Sequence, residues 1–326
     1  MSIKHQIQKI VFQNVVDRMS DKHRKANNIP ETRDIAKQTH RQDIAAKYIY
    51  GYQSGKIVMA VMNRVAKFSG ITDIKQLKKE HTNAYIQDAI DRGLKKNTLV
   101  TERFGIRKFE KCLLNTGRMS KHDQSIAPDV NLPSGSRINP IGRYSEEETR
   151  TIIDDIKENY KEEISQGVQL QEVAGLRISE LKGLKVRYID IPNRQIIIVG
   201  NTAKGGRGRI VKINEKDIPF LKEVVKGKDP DDKVLKVSKR WVEKVVEKTC
   251  DKNELKGRGT HGMRGKFSND RLRQYCREEG VKYDIKHLKD DDEETLTKKE
   301  VEVLEKVSND LGHNRIGIVR KYYLQR

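Results

Sequence analysis

Cysteine is scarce. Cys112, Cys250 and Cys276 are the three in 326 residues, widely spaced and odd in number. That excludes a disulfide framework and a paired-cysteine metal site, and leaves reduced core thiols as the expectation. Aromatic residues make up only 6%, with a single tryptophan, so one large aromatic core is not expected. No apolar run approaches the roughly 18–20 residues that span a bilayer. The opening Met1-Ser2-Ile3-Lys4-His5 has no apolar signal stretch, so a cytoplasmic protein with no membrane partner is expected. Residues 290–294, Asp-Asp-Asp-Glu-Glu, lack the glycine and the spaced oxygens of a calcium loop, and read as a solvated acidic run.

Positive charge, in contrast, is abundant. Lys and Arg number 67 against 47 Asp and Glu, a net charge of +20. An excess of this size points to nucleic acid as the partner. Apolar residues recur at helical spacing through the chain, which argues against disorder. Ile3, Ile7, Ile10, Val11 and Val15 form one stripe within 3–20. A second helical stretch is expected over 40–67, and two more over 75–93 and 97–115. Residues 1–116 therefore read as an all-helical domain.

Residues 117–144 change character. Gly117, Pro128, Pro133, Gly135, Pro140 and Gly142 lie in a basic, aperiodic stretch that reads as a linker. A second domain is expected from 145 to 326. Ser145 and Glu148 form a capping box at its first helix. Strands are expected at 186–191, 195–199 and 209–213, and helices at 215–226, 238–250, 261–279 and 297–310. The fold class is α+β and mainly helical: a helical N-terminal domain and a mixed α/β domain with a small antiparallel sheet.

Phosphodiester chemistry without a metal needs cations on the non-bridging oxygens, a nucleophile, and a proton donor for the leaving oxygen. The second domain holds candidates for each. Arg177 follows Gly175-Leu176 in a tight turn, with Ser179 able to cap the next helix. Lys204 sits in a Gly- and Arg-rich hairpin loop. His261 and Arg264 share a face at a helix start. His313 follows Leu311-Gly312, and Tyr322 comes nine residues later.

Taken in order, these segments resemble the tyrosine recombinase (phage integrase) family. The matching stretches are Ala174-Gly175-Leu176-Arg177-Ile178-Ser179-Glu180-Leu181, the hairpin around Lys204, Thr260-His261-Gly262-Met263-Arg264, and Leu311-Gly312-His313 with Tyr322. The resemblance covers 145–326. Residues 72–115 look like that family's helical core-binding domain, with 1–38 either its first helix or an extra DNA-arm-binding piece. The resemblance implies that Arg177 and Arg264 clamp the scissile phosphate and His313 bonds a non-bridging oxygen. Tyr322 would form a 3′-phosphotyrosyl bond, Lys204 would protonate the leaving 5′-oxygen, and His261 would assist proton transfer. Glu180 would support the site from behind. No metal or organic cofactor is implied.

The implied partner is double-stranded DNA at specific recombination sites. A homotetramer on two duplexes would hold it, with direction set by an accessory DNA-bending or directionality factor, at the nucleoid. The expected activity is site-specific strand transfer in integration or excision of a mobile element. The alternatives are a chromosome or plasmid dimer resolvase, a type IB topoisomerase-like or telomere-resolving enzyme, and a DNA-binding regulator on the same scaffold. Tyr323 adjoins Tyr322, and spacing favours Tyr322. Residues 282–298 read as an insertion, with a surface loop as its expected form. Only four residues follow Tyr322, so any contact of a C-terminal tail with a neighbour would be short or made elsewhere.

Overall fold

The computed structural model describes residues 1–135, 142–200, 208–290, 292–313 and 315–324. The chain divides into two compact units, Met1–Arg137 and Ile138–Arg326.

The first unit is helical: α1 (Ile3–Phe12), α2 (Asp21–Ala26), α3 (Arg33–Gln38), α4 (Gln42–Lys47), α5 (Tyr52–Ser69), α6 (Lys79–Asp91) and α7 (Lys96–Asn115). The stripe expected over 3–20 is realised, but α1 stops at Phe12. Asn14 turns the chain there by bonding back to Ile10 O at 2.9 Å. Ile7, Ile10 and Val11 pack against Val58, Val61, Met62 and Val65 of α5 and Ile106 and Phe109 of α7, all at or near zero exposure. Beyond α7 the chain remains attached to this unit. Ile126 is buried in its core, Thr82 donates to Ile126 O at 2.8 Å, and Asn83 bonds Asp129 at 2.7 Å.

The second unit begins with the expected capping box. Ser145 N donates to Glu148 Oε2 at 2.7 Å and Glu148 N to Ser145 Oγ at 3.0 Å. Helices α8 (Glu146–Asn159), α9 (Glu162–Ala174) and α10 (Ile178–Gly183) follow. Helix α10 separates Gly175 from the strands. Strands β1 (Ile189–Asp190), β2 (Gln195–Ile198) and β3 (Arg209–Lys212) form an antiparallel sheet in that order, with Ile196 opposite both Ile189 and Val211. Then come α11 (Ile218–Val225), α12 (Lys239–Lys252), α13 (His261–Glu279), α14 (Ile285–Asp290), α15 (Lys298–Asp310) and α16 (Ile316–Ile318). A π-turn over Val319–Tyr323 closes the described chain.

Helix α13 packs against α9 and α15 at the centre of this unit. Met263, Phe267, Leu272 and Cys276 supply its apolar side. Among its other buried positions Arg264, Lys266, Asn269 and Arg271 are polar, and each makes a hydrogen bond or ion pair. The segment 282–298 is not a plain surface loop, since Leu288 and Leu296 bury into the same core. Among the described residues no helix is long and apolar enough to cross a membrane.

Candidate active site

The site begins where α9 ends. Gly175 adopts a left-handed conformation (φ 58°), and a Cβ there would sit 2.3 Å from the Phe267 ring, so only glycine fits. The chain turns and Arg177 becomes the N-cap of α10. Glu180, not Ser179, completes that cap. Arg177 N donates to Glu180 Oε2 at 2.8 Å, while Ser179 is exposed. The reason lies in what else Glu180 touches. Its buried carboxylate accepts from Arg177 Nη1 at 2.6 Å and from both Nη atoms of Arg209 at 2.9 Å. Burial alone would raise its pKa, but the Arg209 fork and then Arg177 bring it down to about 2. Arg209, the first residue of β3, also donates its Nε–H to Asp310 O at 2.6 Å. It ties the hairpin strand to both Glu180 and the end of α15.

His313 is set by a tight helix ending. Gly312 has φ 65°, Gly312 N donates to Asn309 O at 2.8 Å and His313 N to Ser308 O at 2.9 Å, the paired bonds of a Schellman motif. This turns the imidazole back toward α13. Arg264, in the first turn of α13, is completely buried. Its guanidinium bonds Gly175 O and Leu311 O, and its Nε lies 3.0 Å from Tyr323 Oη. Burial lowers its pKa to about 10, against the pull of the Tyr323 hydroxyl and with an added push from Arg177. Arg177 Nη2 also reaches Leu311 O, at 3.1 Å, so the two arginines converge on one carbonyl.

The imidazole Nε2 of His313 is the meeting point. It lies 3.3 Å from Arg177 Nη2, 3.4 Å from Arg264 Nη2 and 3.2 Å from Tyr323 Oη. Guanidinium groups only donate, so Nε2 is the unprotonated, accepting nitrogen. The phenol can accept from Arg264 Nε–H while giving its own proton to His313. That is the arrangement a phenol needs to become a nucleophile.

The tyrosine in this cluster is Tyr323. Tyr322 is part-buried against the core and makes none of these contacts among the described residues. The backbone supplies the reason. Leu324 N donates to Val319 O at 3.1 Å, five residues back. A π-turn holds one more residue than an α-turn, so the face that would carry Tyr322 carries Tyr323 instead. Asn269 Nδ2 fixes that register by donating to Tyr323 O at 2.9 Å.

His261 opens α13 with an exposed edge. The wall behind it, and then the charges of Arg264, Lys239 and Arg177, hold its imidazole below the ordinary histidine value. Lys204 lies outside the described residues. The structure thus brings together Arg177, Glu180, Arg264 and His313 of the expected set. It adds Arg209 and Asn269, which sequence reasoning did not single out. An arginine opening a β-branched strand carries no signal of its own; a search for cations to satisfy a buried Glu180 would have found it.

Comparison with known proteins gives a consistent picture. The sequence pattern described as the phage integrase family matches residues 143–326. The tyrosine recombinase XerC of Bacillus pumilus is 24% identical over 187 residues, an alignment covering 54% of this chain and 59% of that protein's length. The fold resembles the Tn1549 transposon integrase in complex with transposon right-end DNA, at a TM-score of 0.57 and 15% identity, covering 89% of this chain and 95% of that one. It also resembles a lambda integrase dimer bound to a core site, at a TM-score of 0.55 and 14% identity over 85% of this chain and 73% of that one.

Proposed function

This chain belongs to the phage integrase family, and from that premise we propose that it cuts and rejoins double-stranded DNA at specific sites through a covalent phosphotyrosyl intermediate. The observation that carries the proposal is the Tyr323 hydroxyl, 3.0 Å from Arg264 Nε and 3.2 Å from His313 Nε2. A phenol with an ordinary pKa near 10 is a poor nucleophile at neutral pH unless a base or cations stabilise the phenolate. Here both lie within hydrogen-bond reach.

In the proposed reaction Tyr323 Oη attacks phosphorus as its proton passes to His313 Nε2. A P–O(tyrosyl) bond forms and the P–O5′ bond breaks. The leaving 5′-oxygen takes a proton, a role the family resemblance assigns to Lys204. Arg177 and Arg264 hold the non-bridging oxygens, Glu180, itself held by Arg209, holds Arg177, and His261 serves proton transfer at the rim. The reverse attack by a 5′-hydroxyl rejoins the strand without a nucleotide cofactor, because the phosphotyrosyl bond keeps the phosphodiester's energy. Four protomers on two duplexes would carry out sequential exchange.

The proposed role is integration or excision of a mobile element, supported by the insertion at 282–298. Dimer resolution is the second reading, favoured by the similarity to a XerC. A two-site recombination assay separates both from simple relaxation, which needs one site.

The test is covalent trapping. Nicked suicide duplexes from the genomic flank of the reading frame are incubated with the full chain in EDTA and resolved on denaturing gels. A protein–DNA adduct lost in Tyr323→Phe and kept in Tyr322→Phe is expected. Loss only in Tyr322→Phe keeps the activity and moves the nucleophile. A bound substrate that gives no adduct favours a DNA-binding regulator.

A further inference from the structure

The tyrosine-bearing turn is also gripped through Arg320. Arg320, the second residue of the π-turn, is 6% exposed although it carries a charge. Its Nε–H donates to Leu288 O, the backbone of α14, at 2.7 Å. Its Nη1 lies 3.7 Å from Glu293 Oε2, in the acidic run. Glu293 also covers the start of the segment, since a Cβ on Gly317 would sit 3.9 Å from the same carboxylate oxygen. The gripping segment is itself fixed. Leu288 is fully buried, and His287 Nε2 lies 3.1 Å from Glu300 Oε1 on α15. Glu300 in turn accepts from Thr297 N at 2.7 Å. Helix α14 and Glu293 thus form a brace between α15 and the turn.

The placement matters because two phenols are adjacent. Rotation of the turn by one residue exchanges Tyr323 for Tyr322 at His313. Such a rotation would carry the Arg320 guanidinium away from Leu288 O, leaving a buried cation without that acceptor. We propose that α14 and Glu293, acting through Arg320, set the register of the π-turn and thereby select Tyr323 as the nucleophile. Arg320 is a positioning residue: it touches no reacting atom and acts through the backbone that carries Tyr323. This rests on the strand-transfer reading given above.

The experiment uses the full chain and the nicked suicide duplex. Adduct rate is measured, and the modified tyrosine is assigned by tandem mass spectrometry of the Tyr322–Tyr323 peptide. Wild type is expected to react through Tyr323. Arg320→Leu is expected to slow that adduct by about tenfold or more, since misplacement of about 1 Å costs on the order of 10²-fold. It is also expected to move part of the adduct to Tyr322. The double variant Arg320→Leu/Tyr323→Phe should therefore form an adduct where Tyr323→Phe alone forms none. Arg320→Lys, which keeps a donor for Leu288 O, should restore the Tyr323 preference in part.

Arg320→Leu that folds, binds DNA and reacts at Tyr323 at the wild-type rate overturns the inference alone. So does a wild type that reacts through Tyr322. Should Arg320→Leu not fold, Glu293→Lys decides, because its side chain is 57% exposed and the change sets a cation against Arg320. An unchanged rate and an unchanged tyrosine in that variant overturn the inference. Absence of any wild-type adduct on bound DNA overturns the proposed function and the inference with it.

Discussion

A carboxylate with no solvent contact ordinarily resists ionisation. Glu180 is ionised because four contacts surround it: two from the Arg209 fork and two from Arg177, one of which is the backbone N–H that caps α10. Removing its charge leaves two guanidiniums facing a neutral group. Glu180→Gln is therefore expected to destabilise the protein by about 3–5 kcal/mol at neutral pH. Because the folded pKa is depressed from 4.5 to about 2, the pairing adds stability above pH 4.5 and loses it as pH falls through 2. Urea midpoints for wild type and Glu180→Gln should converge over that window, and a constant gap would contradict the pairing. Arg209→Lys should fail to restore adduct formation lost in Arg209→Ala, since a single ammonium cannot reproduce the two-pronged contact. The clustering of Arg177, Arg264, Glu180 and His313 is legible in the sequence because each lies in a short run with neighbours of fixed type. The placement of Tyr323 beside His313 is not legible there, because spacing along a chain is blind to a π-turn.

At the scale of elements, the end of α15 controls the imidazole. Gly312 is left-handed, and a Cβ there would come within 3.1 Å of Arg209 Nη1. Gly312→Ala is expected to cost about 1–2 kcal/mol for the backbone conformation. It should also lower adduct yield further than the stability loss explains, by displacing His313 and Arg209 together. Thermal unfolding and single-turnover trapping on the same variant check both parts. The range 261–279 was readable as a helix from its ends, yet its central burial was not. Its interior positions are Arg264, Lys266, Asn269 and Arg271, which a hydrophobic stripe search places on a surface. They are buried because α9, α15 and the terminal turn bring partners, such as Glu172 to Lys266 at 2.8 Å. The same blindness hid α14, whose polar residues surround one anchoring Leu288.

At the scale of the molecule, each unit holds its own hydrophobic cluster. The segment Ile138–Arg326 is expected to unfold cooperatively on its own and to form the adduct with weaker DNA binding than the full chain, as calorimetry and trapping on both would show. The net charge of +20 gives a second expectation. Affinity for duplex DNA should fall about 10³–10⁵-fold between about 50 and 200 mM salt if about 6–10 phosphates are contacted. Fluorescence anisotropy across that range measures the slope, and a flat response would argue against backbone-dominated binding.

One carboxylate, bonded to two of the three guanidiniums that line the site, has an electrical consequence for the proposed chemistry. Arg177, Arg209 and Arg264 with Glu180 leave two positive charges uncompensated at the floor of the site. A phosphodiester beside a neutral phenol brings one negative charge, so the floor stays in excess. When the phenol has lost its proton and is bonding to phosphorus, the reacting group carries two. The imidazole has meanwhile gained the proton, so negative charge on the phosphate grows against a floor that is already positive, and the attraction is greatest at the crest of the reaction, where stabilisation lowers a barrier rather than deepening a well.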